Sequence, residues 1–195
     1  EERALVQAAT VAAELPEGAV LGMIDHGIDA ESGAPFLVSP LSDHPSLEAF
    51  VSLCPLSLIE MATMARSLAR GLDSAHRRGL AHLAIRPTNV FVGPPPVCWT
   101  RVSDFGAGAV DRGTDEGGER DTLAFAAPEL YAGSHGPLSP EAAARADVFS
   151  AALLCFFAAT GDTYWKATRK KGGGSLGADI TPLVKETSGI RAPTS

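Results

Sequence analysis

The chain has little positive charge, few cysteines, few aromatic residues and no apolar run of membrane length, and each shortage closes off a class of function. Its 16 Lys and Arg face 23 Asp and Glu for a net charge of −7, and the one basic block is Arg169-Lys170-Lys171. Nucleic-acid and anionic-membrane surfaces need clustered Lys and Arg, so neither is expected as a partner. Cys54, Cys98 and Cys155 are odd in number and share no metal-ligand spacing. They read as reduced, mostly buried thiols rather than a disulfide frame. The start, Glu1-Glu2, lacks the basic-then-apolar pattern of a secretory signal, and the longest apolar run, Ala151 to Ala159, is half a membrane span. A soluble, cytoplasmic chain without a membrane segment is the expectation.

What is present fits one ordinary domain, because 195 residues, 45% of them hydrophobic, can bury a real core. Arginine outnumbers lysine twelve to four, and alanine and glycine are abundant, as in a GC-rich bacterial gene. Residues 1–15 are good helix formers without Gly or Pro and stop at Pro16, which predicts a helix. Val20 to His26 and Pro35 to Ser39 are short apolar runs around a polar loop, Gly27 to Ala34, and predict an antiparallel hairpin. Leu56 to Arg78 predicts a long helix: Ala65, Leu68, Leu72 and Ala75 form a stripe at steps of three and four, and Gly79 ends it. Asn89 to Val92 and Thr100 to Ser103 predict a second hairpin, interrupted by the stiff insert Gly93 to Val97. Pro140 to Gly161 predicts another long helix, apolar almost all round after Asp147, as a buried helix would be. Residues 170–175 read as a linker, and 176–195 carry no strong pattern.

The octapeptide His82-Leu83-Ala84-Ile85-Arg86-Pro87-Thr88-Asn89 carries the chemistry. It resembles the catalytic loop of a protein kinase, His-Arg-Asp, a hydrophobic residue, Lys-Pro, any residue, Asn. His82, Ile85, Pro87 and Asn89 keep their places, whereas Leu83, Ala84 and Arg86 replace the Arg, the catalytic Asp and the Lys. Fifteen residues after Asn89 comes Asp104-Phe105-Gly106, and 23 beyond Asp104 comes Ala127-Pro128-Glu129, similar to the family's metal-binding and activation-segment motifs. Asp147-Val148-Phe149-Ser150 is similar to the start of the family's central helix. Leu68 to His76 with Gly79 to His82 resembles the helix that feeds the catalytic loop. Four motifs in one order identify the chain as a degenerate member of the protein kinase superfamily, of bacterial Ser/Thr type.

The resemblance implies an α+β, kinase-like fold: a partial small lobe over residues 1–41, a mostly helical large lobe over 42–163, and a poorly defined tail over 164–195. It implies ATP and Mg²⁺ as ligands, with Asp104 and Asn89 as metal and cofactor ligands. Arg86 would offer its charge to the γ-phosphate. Asp104 could otherwise be a turn aspartate before Gly106, and Asn89 a turn or cap residue. The hinge that meets adenine would fall at Pro40-Leu41-Ser42, placing Ser42 against the cofactor. Glu2, or Glu1, would be the glutamate that pairs the ATP-binding lysine; a solvated acid at a helix N-terminus is the other reading. His82, Glu129 and Asp147 would be architectural. Asp147 would hold the catalytic loop from below, His82 would pack beside Asp104, and Glu129 would pair an arginine such as Arg191. The Gly-rich strand-loop and the strand lysine, which the family places earlier, are not among these residues.

Ala84 has no group that can orient or deprotonate a hydroxyl. Loss of a positioned general base costs about 10²–10⁴ in rate. Leu83 also removes the partner of an activation-loop phosphate, so a phosphate on Thr114 or Thr122 would lack a charge-assisted bond there. A pseudokinase that binds or regulates a protein partner is the expected function, and a weakly active Ser/Thr kinase is the alternative.

Overall fold

The computed structural model describes Leu15 and residues 20–33, 35–97, 99–105, 124–131, 138–164 and 166. Residues 1–14 of the expected helix, with Glu1 and Glu2, and the tail from 167 lie outside the described residues, as do Gly106, Thr114, Thr122 and Arg191.

The first hairpin pairs β1 (Asp25–Ile28) with β2 (Pro35–Val38), Gly27 standing opposite Phe36. Its first strand begins later than the apolar run from Val20 suggests. Val20 instead forms a parallel bridge to Val102, and the Leu21 N–H donates to the Val102 carbonyl at 2.8 Å. Gly27, expected in the loop, is a strand residue. A Cβ there would lie 2.6 Å from the Phe36 ring, so the missing side chain makes room for the cross-strand aromatic.

A short helix, α1 (Leu47–Val51), follows, which the sequence reading passed over. Ser46 caps it and Leu47 and Val51 are buried one turn apart. Next comes α2 (Leu58–His76), a little shorter than the expected Leu56 to Arg78. A capping box starts it: Ser57 accepts the Glu60 N–H, and Glu60 accepts the Ser57 N–H at 3.0 Å. The Glu60 carboxylate also accepts the Val97 N–H at 3.1 Å, tying the helix start to the Pro-rich insert.

A single 3₁₀ turn, Pro87–Asn89, leads into β3 (Val90–Val92), which pairs antiparallel with β4 (Thr100–Val102). Within the insert, Gly93 lies under Trp99: a Cβ would stand 2.7 Å from the indole nitrogen. The Trp99 ring also takes the edge of His44 at 4.6 Å and the Arg101 guanidinium at 5.1 Å. After a one-turn α3 (Pro128–Tyr131), α4 runs Pro140–Thr160 from a Ser139 cap to Gly161 at φ 74°.

The core lies where α2 meets α4 and the β3–β4 hairpin. Met64, Leu68, Leu72 and Ala75 of α2, Leu154 and Ala158 of α4, and Val90, Val92 and Val102 of the hairpin are all buried there. Burial of a Leu- or Val-sized side chain contributes about 1.5–3 kcal/mol, so this cluster is a large source of stability. By length and composition α4 could cross a membrane. Its buried stripe, Ala143, Ala146, Asp147, Ser150, Leu154 and Ala158, runs at helical spacing and packs on α2, as a core helix does. Val148 on another face is 61% exposed, so α4 is not enclosed all round by the described residues. Helices beside two small antiparallel hairpins make an α+β fold with a partial N-terminal sheet.

Candidate functional site

The octapeptide runs from a loop after α2 into the 3₁₀ turn, and three polar side chains fix its shape. Asp147, fully buried on α4, accepts the His82 N–H on Oδ2 and the Leu83 N–H on Oδ1, both at 2.7 Å. His76, at the end of α2, adds its Nε2 to Oδ2 at 2.8 Å. A carboxylate only accepts, so Nε2 of His76 carries the proton. Leu83 stands at φ 61°, a conformation costing a non-glycine residue about 1–2 kcal/mol. The two short bonds to a charged acceptor hold it there. Sequence reading placed Asp147 beneath the loop but gave His76 no role, since the two are 71 positions apart.

His82 is enclosed, its ring tilted against Phe105 at 4.6 Å. Nδ1 accepts the Ala84 N–H at 3.3 Å and Nε2 bonds the Ser103 carbonyl at 2.8 Å. One ring nitrogen accepts and the other donates, which defines a neutral imidazole. Burial holds its pKa below the ordinary 6.5, against the opposing pull of the Asp147 charge and of the Ser103 carbonyl. His82 is therefore a core residue that bridges the loop to the strand end.

Asn89 is 3% exposed. Its Nδ2 donates to the Ala84 carbonyl at 3.1 Å and closes the loop. Its Oδ1 accepts from Thr88 Oγ1 at 3.3 Å and from Arg86 Nε at 3.4 Å, long bonds that together occupy both carbonyl lone pairs. The flipped amide would set Oδ1 against the Ala84 carbonyl and Nδ2 against Arg86 Nε, so this orientation is the one the network favours. Arg86 is half-buried.

Asn89 and Asp104 are 15 residues apart and meet at one end of the β3–β4 ladder. Val90 pairs with Val102, and the Ser103 N–H donates to the Asn89 carbonyl at 2.9 Å, one step further. Asp104 follows at φ 62°. Among the described residues no donor is bonded to its carboxylate, which lies at intermediate burial.

These observations test the metal that the resemblance implies. A divalent cation such as Mg²⁺ takes hard oxygen ligands with free lone pairs at about 2.0–2.1 Å. The Asp104 carboxylate fits. Asn89 Oδ1, as it stands, serves a clasp and has a guanidinium beside it. Among the described residues no three His, Cys, Asp or Glu side chains gather into a metal site.

Among the described residues, neither Ser42 nor Glu129 hydrogen-bonds a residue of this cluster. Ser42 is engaged in a turn with His44, its Oγ accepting the His44 N–H and donating to the His44 carbonyl, both at 3.2 Å. Glu129 is exposed on α3 and makes no ion pair with a described residue. Glu2, the alternative candidate Glu1, and Arg191 fall outside the described residues.

The profile of the protein kinase domain family matches residues 26–186. The serine/threonine-protein kinase PknL of Mycobacterium tuberculosis is 30% identical over 159 residues, 80% of this chain and 37% of PknL. AfsK of Streptomyces coelicolor is 33% identical over 137 residues, 68% of this chain and 16% of AfsK. The US3 kinase of human herpesvirus 1 is 27% identical over 95% of this chain and 40% of its own. The chain thus spans less than half the length of these relatives. In three dimensions, the PknI kinase domain of Mycobacterium tuberculosis superposes with a TM-score of 0.64 at 24% identity, over 83% of this chain and 58% of that domain. Rad53 in complex with AMP-PNP superposes with a TM-score of 0.63 at 18% identity, over 82% of this chain and 38% of that one.

Proposed function

Since the chain belongs to the protein kinase domain family, we propose that it is a kinase-like domain that works by binding, a pseudokinase module acting on a protein partner in the cytoplasm. One observation carries this reading: Asp147, His82 and Asn89 support a complete loop, and the residue that loop presents where the family has its base is Ala84. A methyl group neither orients nor deprotonates a hydroxyl. On this reading residues 1–41 are a partial small lobe, 42–163 the large lobe, and 164–195 a remnant of its late helices.

ATP is the proposed ligand, with Asp104 as the residue that would hold a divalent cation and Arg86 as a fixed positive charge. Bound there, the cation would neutralise phosphate charge. The carboxylate of Asp104, held at positive φ and bonded to no donor among the described residues, supports this. It also favours a second reading, a weakly active Ser/Thr kinase, because that ligand has been kept.

Transfer from ATP to a generic Ser/Thr peptide separates the two. The wild type is expected at background, and Ala84→Asp is expected to raise the rate by about 10²–10⁴ if the remaining groups are in place. Measurable wild-type turnover that Asp104→Ala abolishes would establish the weak kinase instead. Binding itself is read from the melting temperature: a ligand at a hundredfold excess over its Kd adds about 2.7 kcal/mol of stability.

A further inference from the structure

We infer that the outer face of the β3–β4 hairpin is a docking site for an acidic segment of a protein partner. Trp99 and Arg101 stand there beside Pro94, Pro95 and Pro96, and the segment that fits is extended, with Asp or Glu next to proline or aliphatic residues. None of the nucleotide cluster's residues takes part, so either reading can fail alone.

Alternation along the two strands makes this face. Val90 and Val92 of β3 and Thr100 and Val102 of β4 are buried. Phe91, Arg101 and, one step before the strand, Trp99 alternate with them and are half-buried. The Trp99 ring is fixed in place. It lies against Gly93, whose N–H donates to the Trp99 carbonyl at 3.1 Å, and it takes the edge of His44 at 4.6 Å.

Arg101 is the incomplete member. Its guanidinium stands over the indole at 5.1 Å. The ion pairs among the described residues are His76 with Asp147, Arg77 with Asp73 and Lys166 with Asp162, so no carboxylate there answers Arg101. A half-buried cation without a counter-charge has lost part of its hydration and gained no ion pair in return. The cation–π contact offsets only part of that loss. Stacking also occupies the face of the guanidinium and leaves the N–H groups at its edge, the geometry in which a carboxylate binds through two parallel bonds.

The neighbouring prolines say what bears that carboxylate. Pro94, Pro95 and Pro96 are all exposed. Their loop is tied at one end by the Gly93 bond to Trp99 and at the other by the Val97 N–H on the Glu60 carboxylate at 3.1 Å. A fixed row of pyrrolidine rings beside an indole offers apolar contact at little entropic cost and has no N–H groups to satisfy. That suits an extended chain rather than a lone anion. Trp and Arg are also the residue types enriched where binding energy concentrates at protein interfaces. A single arginine against a net charge of −7 does not make the basic track that a nucleic acid needs.

The experiment is titration of the isotope-labelled 195-residue chain, without nucleotide, followed by heteronuclear NMR at the indole N–H signals of Trp99 and Trp165. The probes are the capped peptide Glu-Pro-Glu-Leu-Pro-Glu and its counterpart with Gln at every Glu. The Glu peptide is expected to shift the Trp99 signal, assigned from its loss in Trp99→Phe, and to bind about tenfold or more tighter than the Gln peptide. Arg101→Gln is expected to bring the two peptides within about twofold of one another. Arg101→Lys, which keeps the charge without the fork, is expected to weaken the Glu peptide by about threefold or more. Equal binding of the two peptides by the wild type, or no shift at Trp99, would overturn the inference, as would a preference for Glu that survives Arg101→Gln. Inorganic phosphate that shifts Trp99 at the same concentration as the peptide would make this a site for small anions and overturn the docking of a segment. The wild-type comparison decides the point even if a variant fails to fold, and without nucleotide present the outcome is independent of the ATP reading.

Discussion

Replacing Asp147 should unfasten the loop and much of the fold with it. Asp147 is fully buried and receives two backbone N–H groups at 2.7 Å and the His76 imidazole at 2.8 Å. Hydrogen bonds to a charged group contribute about 1.5–3 kcal/mol each, so the two amides alone account for roughly 3–6 kcal/mol. Removing the carboxylate also relieves its desolvation, which offsets part of that sum. Breaking a buried pair from one side costs about 3–5 kcal/mol, and Asp147→Ala is expected in that range. A domain's whole stability is only about 5–15 kcal/mol.

Asp147→Asn should cost less, roughly 1–3 kcal/mol, because the amide keeps one acceptor and presents its nitrogen to a group that also donates. Urea unfolding followed by far-UV circular dichroism measures both, with an unchanged slope as the sign that only stability moved. Hydrogen exchange at the His82 and Leu83 amides should accelerate in step. A loss below about 1 kcal/mol for Asp147→Ala would refute the reasoning, because the two orphaned amides alone are expected to exceed it.

His82 makes stability pH-dependent. Its folded pKa lies below the ordinary 6.5, so the unfolded chain binds more protons there and stability falls as pH drops below 6.5. His82→Gln should flatten that slope in denaturant titrations across pH 5 to 7.5; an unchanged slope would place the dependence elsewhere. Glu60→Ala removes the carboxylate half of the capping box and the acceptor for Val97, leaves the backbone N–H of residue 60 on Ser57 Oγ, and should cost about 1–2 kcal/mol in the same assay. Gly93→Ala pushes a Cβ into the Trp99 ring and should shift tryptophan fluorescence; an unaltered spectrum would mean the ring has room to give.

Elements that rest on local periodicity were legible in the sequence. The stripe of α2 and the apolar length of α4 predicted both helices within a few residues, and Gly161 ends α4 as a left-handed cap. Val20 to Ile24 was read as strand because apolar runs do not say which neighbour they will pair with; Val20 found Val102 instead. Helix α1 had its Ser46 cap and its Leu47 and Val51 pair in plain view, but five residues are too few to show a period. At the site, the motifs marked which residues gather. What they do to one another was not legible. The Arg86 bond to Asn89 depends on a side-chain rotamer, and the His76 bond to Asp147 joins residues far apart in the chain. The side chain of Ser42 closes a local turn on His44, which its place after the hairpin does not announce.

The tether from α4 also orders events in time. His82 and Leu83 are synthesised some 64 residues before the carboxylate that shapes them. Contacts of such separation form late, after the loop-closure entropy between them has been overcome. A nascent chain that has emerged only as far as Ser139 carries the whole octapeptide and both strands of the second hairpin, yet has nothing to hold Leu83 at positive φ. The loop is thus a product of the completed lobe. A ribosome-stalled chain ending before α4 should leave those amides open to exchange, and one extended past Gly161 should protect them.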